Sequence, residues 1–195
     1  MNETPNAASA LLVPGVPFIL AELHAMKLDG VLVQVTGHAF RRSDTEETPG
    51  LRAQALAHHV PAALSYRAAL GQLSAAWVYG CAPVPQVISL LLDNDGNSAS
   101  LPLFSGCNLR QVYLDRFDVL RMGGVLITSP LRTALDVARS APAPLARAVL
   151  AAISCHPAMH CPLGRIRQGL AEAMHVPGKC RGEALLASMI EDQSP

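Results

Sequence analysis

Residues 123–139 read Gly-Gly-Val-Leu-Ile-Thr-Ser-Pro-Leu-Arg-Thr-Ala-Leu-Asp-Val-Ala-Arg, and the middle of this run is the sharpest helix start in the chain. A serine hydroxyl accepts a hydrogen bond from an N–H of the first helical turn, and the proline after it has no N–H to leave unsatisfied. Ser129-Pro130 therefore opens a helix, and the β-branched residues before it, turned in by Gly123-Gly124, form a strand over Val125 to Thr128. Leu131, Ala134, Leu135 and Ala138 recur on one face of that helix. The two alanines allow it to approach its neighbours closely.

The elements upstream alternate in type. Pro17 is read as a first helical position, with Ile19, Leu20, Leu23 and Met26 at helical spacing up to Asp29-Gly30. Residues 30–42 hold two short apolar runs about Thr36-Gly37, the pattern of a tight hairpin, and Ser43 to Thr48 is a polar linker. Thr48-Pro49 caps a helix through about His58, and the alanine-rich run from Ala62 to Tyr79 is expected to hold two helical pieces broken near Gly71. Gln86–Leu92, Leu109–Leu114 and Phe117–Met122 read as strands, with a turn at Asp93 to Gly96. Helices are expected at Pro144–Ile153, Leu163–Met174 and Gly182–Ile190, with a frayed tail after them. The sum is an α+β fold: a truncated winged-helix-like module over residues 1–48, an α+β unit with a mixed or antiparallel sheet over 49–180, and a C-terminal helix and tail over 181–195.

Half of the residues are hydrophobic and 15% are charged, as a chain that folds requires. Apolar runs stay short of the roughly 18 residues that cross a bilayer. The longest, Ala8 to Leu20, is broken by Pro14, Gly15 and Pro17, so a cytoplasmic location without membrane contact is expected. Five cysteines, odd in number and irregularly spaced, are expected to stay reduced. The formal net charge is zero but unevenly spread. Residues 1–48 set three cations against six carboxylates, which gives −3, whereas residues 130–182 set seven against two, which gives +5.

Two segments, Gln72-Leu-Ser-Ala-Ala-Trp-Val-Tyr-Gly80 and Val125 to Arg139, together resemble the AbiEi-type antitoxin and transcriptional-regulator family. The first is similar to the family's Ser-Ala-Ala helix, here around Ser74. The second is similar to its Thr-Ser-Pro-x-Arg-Thr-x-x-Asp-x-Ala-Arg motif, here Thr128, Ser129, Arg132, Thr133, Asp136 and Arg139. The resemblance spans roughly residues 20–155. It implies a small winged helix, with 29–42 as its wing, followed by the α+β domain. It also implies a regulator, or the antitoxin of a type IV toxin–antitoxin pair, that represses its own promoter. The form is one lacking the very-short-patch-repair-like nuclease that follows in some longer relatives.

Other residue groups bear on chemistry. Arg132 and Asp136, four apart, and Asp136 and Arg139, three apart, share a helix face, either as a structural charge network or as a site for an anionic ligand. Exposed pairs of this kind contribute about 0.3–0.5 kcal/mol each, and the structural reading is preferred. Cys155-His-Pro-Ala-Met-His-Cys161, with His175 and Cys180 downstream, gathers thiols and imidazoles at a spacing that suits no standard zinc knuckle, so no metal and no cofactor is expected. His58-His59 reads as a helix end that favours imidazolium, Asp93, Asp95, Asp115 and Asp118 as solvated turns, and Trp77 and Tyr79 as core.

No phosphate loop, nucleophile elbow or His-Glu-x-x-His motif is present, so the chain is read as a non-enzyme. It is expected to act by binding DNA, a protein partner such as a cognate toxin, or both. The candidate DNA contacts are Arg165, Arg167, Lys179 and Arg181 in the basic half and Arg41 and Arg42 on the wing. The alternatives are a protein-interaction module that leaves DNA alone, and a zinc-dependent or phosphate-handling enzyme.

Overall fold

The structure, a computed structural model, describes residues 11–15, 17–94, 98–174 and 176–192. Asp95 and Gly96 of the expected turn, His175, and residues 193–195 of the expected tail lie outside the described residues.

Strand β1 (Leu11–Leu12) leads to helix α1 (Leu20–Leu28) and the hairpin β2 (Leu32–Thr36) and β3 (Ala39–Arg42). The helix starts three residues later than the proline suggests. Glu22 reaches back to accept from the Ile19 N–H at 2.9 Å, satisfying one of the orphan donors of a helix start at Leu20. The hairpin lies where the apolar runs predict it. β1, too short to show a period, adds antiparallel to β3 and completes a three-stranded sheet in the order β1-β3-β2. Leu23, Leu32 and Phe40 form a small core between helix and sheet, while Val35 and Ala39 face the main core.

Helix α2 (Pro49–Ala57) is capped by Thr48, whose hydroxyl accepts from Leu51 N at 3.2 Å. The alanine-rich run behaves differently from its propensity. Residues 62–67 are turns, and Ala69–Leu70 is a strand, β4, at the centre of the larger sheet; only the second expected helix forms, as α3 (Gln72–Val78). Leu70 is paired on both sides, antiparallel with Leu90 and parallel with Ile127, and this pairing overrides a helix preference that amounts to tenths of a kcal/mol per residue, ~0.5.

The sheet is mixed, with the order β6-β5-β4-β8-β7, built from β5 (Ile88–Asp93), β6 (Cys107–Val112), β7 (Val119–Met122) and β8 (Val125–Thr128). β5 and β6 run parallel, so their carboxyl ends, at Asn94 and Tyr113, lie side by side. Helices α4 (Pro130–Ser140), α5 (Ala143–Cys155), α6 (Leu163–Glu172) and α7 (Lys179–Glu191) follow. α4 is the hub. It packs on α3, α5, α6 and α7, and its Ala134, Val137 and Ala138 are fully buried. Gly178, at φ +79°, lets α7 begin against it: a Cβ there would sit 2.5 Å from the Arg139 carbonyl oxygen.

Candidate binding cleft beside helix α4

Strand β8 delivers Thr128 and Ser129 to the start of α4, and the hydroxyls there fix the junction. The Ser129 hydroxyl accepts from Arg132 N at 3.4 Å, while its own N–H donates to the Asp118 carbonyl at 2.7 Å. The Thr128 and Thr133 hydroxyls lie 2.7 Å apart, and Thr133 Oγ1 also donates to the Thr128 carbonyl at 3.2 Å. Tyr79 donates to that same carbonyl at 2.7 Å, and burial pushes its phenol pKa well up. Ser74 accepts from Ser89 N at 2.9 Å, tying α3 to β5. The polar side chains of the sequence motif are thus occupied in joining strand to helix.

The charged members of the motif form a cluster with one residue that lies outside it in sequence. Arg132 donates through Nε to Asp136 at 3.0 Å and through Nη1 to Asp118 at 2.6 Å and to the Tyr113 carbonyl at 3.0 Å. Arg139 donates through Nη2 to Asp136 and through Nε to the Leu135 carbonyl. This corrects two expectations. The pairs are not exposed, since the Asp136 side chain is 5% accessible, with Arg132 at 13% and Arg139 at 17%. Nor is Asp118 a solvated turn residue. Its carboxylate accepts from Arg132 and from Asp115 N, so it braces the 115–118 turn against α4, a link across 14 residues that no local spacing announces. Burial on its own would lower the Arg132 pKa; the Asp136 and Asp118 carboxylates outweigh it and hold the guanidinium above its ordinary value.

Above this cluster opens a cleft of about 620 Å³. It is lined by Asp118, Arg132 and Arg139, by the strand ends at Asn94 and Tyr113, and by the apolar side chains of Leu135, Leu170, Met174, Val176 and Pro177.

The candidate DNA contacts are dispersed. Arg41 donates to the carbonyls of Arg42 and Thr45 and faces Glu47, and Arg42 makes a two-pronged pair with Asp44. Lys179 donates to the carbonyls of Ala171 and Ala173, closing the C-terminal end of α6, and Arg181 donates to that of Ala141. Arg165 and Arg167 are exposed on α6 on either side of buried Ile166; Arg165 donates one N–H to the His160 carbonyl.

Cys155 is exposed at the end of α5 and Cys161 is buried, its thiol pKa pushed up by burial. Among the described residues no three His, Cys, Asp or Glu side chains converge as a metal would need. At the C-terminal end of α2 the imidazolium expectation fails for His59: burial first, then the His58 and His38 charges, lowers its pKa, and its Nε2 is buried with no hydrogen-bond partner among the described residues. The ring presses on the hairpin turn, where a Cβ on Gly37 would lie 2.5 Å from that nitrogen. Trp77 and Tyr79 are core residues, as expected.

No protein-family model matches the chain, and no curated protein is significantly similar to it.

Proposed function

We propose that the chain is an AbiEi-like transcriptional regulator or antitoxin that acts in the cytoplasm by binding rather than by catalysis. The observation that carries this reading is the fate of the motif residues. The polar side chains of the motif bond within the protein: Thr128, Ser129 and Thr133 join β8 to α4, Ser74 ties α3 to β5, and Arg132, Asp136 and Arg139 pair on α4 and with the 113–118 segment, which suits a rigid scaffold that displays a surface. The N-terminal helix on a three-stranded sheet is compatible with a reduced winged helix, and the described helices include none long and apolar enough to cross a membrane. Where DNA is bound, the contact falls on α6, because Arg165 and Arg167 keep guanidinium N–H groups for phosphate while the other four cations are engaged within the protein. A reporter driven by the DNA upstream of the chain's own coding sequence tests the reading. Repression on co-expression is expected, and an unrepressed reporter together with no binding of that DNA at low salt overturns it.

The engagement of Arg41, Arg42, Lys179 and Arg181 also favours a second reading, a protein-interaction module that leaves DNA alone. Co-purification with the product of the adjacent gene, with no DNA affinity, distinguishes it.

A further inference from the structure

We propose that the cleft beside α4 is a binding site for a small amphipathic monocarboxylate, one carboxylate carried on an apolar body. The site goes beyond the DNA and partner reading and does not depend on it.

Donors rather than net charge make the cleft fit for an anion. The guanidiniums of Arg132 and Arg139 and the carboxylate of Asp118 line it; Asp136, outside the lining, pairs with both arginines, so the four groups are neutral together. Donors remain available. Arg132 uses Nε and Nη1 and Arg139 uses Nε and Nη2, so Nη2 of the first and Nη1 of the second have no partner among the described residues. A carboxylate accepting from both makes charge-assisted hydrogen bonds in a half-enclosed setting, whereas a dianion meets Asp118 at close range. One negative charge is the better match.

The remainder of the cleft asks for apolar surface. Leu135, Leu170 and Val176 form its wall, and Met174, 78% exposed, stands at its rim, an exposure that a bound apolar body would reduce. The volume of about 620 Å³ falls within the range of small-molecule sites, roughly 300–1,000 Å³. The cleft is also bounded by the adjacent carboxyl ends of the parallel pair β5 and β6, at Asn94 and Tyr113.

Calorimetric titration of the full chain with sodium octanoate, 1-octanol and sodium acetate tests the site. Octanoate is expected to saturate one site per chain, with octanol and acetate each weaker by at least about tenfold, the contribution of one charge-assisted hydrogen bond or of the missing apolar surface. Arg139→Gln is expected to weaken octanoate by about the same factor. Because Arg139 also supports the fold, Met174→Glu at the exposed rim provides the second variant; it sets a carboxylate at the mouth and is expected to abolish octanoate binding with an unchanged circular dichroism spectrum. Octanol binding as tightly as octanoate, wild-type affinity in folded Met174→Glu, or no saturable octanoate binding overturns the proposal.

Discussion

Two arginine–aspartate groupings in this molecule have nearly the same chemistry and opposite settings. At the hairpin, Arg42 and Asp44 meet at 2.6 Å with both side chains about two-thirds exposed. Beside α4, Asp136 lies between Arg132 and Arg139 at 5% accessibility, with Asp118 closing the group. Water screens the first pair and competes for each of its hydrogen bonds, so either partner can be removed at little loss. In the second, removing Asp136 strands the partly buried Arg139 guanidinium and leaves Arg132 with Asp118 alone, and the cost is the desolvation that no longer has a full counter-charge. Distance alone ranks the two together; burial separates them.

The largest effect that would break this contrast is at the hub. Asp136→Ala should lower unfolding free energy by about 3–5 kcal/mol in urea titration, the range for an uncompensated buried charge. A loss under about 1 kcal/mol would mean that the cluster behaves like a surface pair. Tyr79→Phe should cost less, about 1 kcal/mol, because the Thr128 carbonyl keeps the Thr133 hydroxyl as a donor. The same urea titration measures it.

A pH effect comes next. With its folded pKa below the unfolded value of roughly 6.5, His59 leaves the unfolded chain binding more protons in between. Its contribution is therefore complete above that value and is lost as pH falls through the folded pKa. Melting temperature should drop on acidification from about pH 7.5 to about 5.5, and His59→Gln should reduce the drop. The smallest effect is expected at the hairpin, where Arg42→Ala should leave the urea midpoint unchanged within error.

Legibility in the sequence follows the range of the forces involved. The Thr48 and Ser129 caps, the turn at Gly37 and the apolar strand runs between 86 and 128 are local signals, and each element forms within two residues of its expected bounds. The pattern at Ala69-Leu70 misleads because the fate of these residues is set by Leu90 and Ile127, far along the chain. The candidate site divides the same way. Arg132, Asp136 and Arg139 show themselves through helical spacing, whereas Asp118 and the Leu170–Met174 lining join them only once the 115–118 turn and α6 have packed against α4.

Binding of the chain's own upstream DNA, followed by fluorescence anisotropy across a salt series, tests the regulator reading most directly. Affinity is expected to fall as salt rises. Arg165→Ala with Arg167→Ala should weaken binding for all sequences alike and flatten the log–log slope by about 0.9 for each phosphate no longer neutralised, while Arg41→Ala with Arg42→Ala changes little. No binding at low salt, or a weakening confined to the Arg41 and Arg42 double variant, would contradict it.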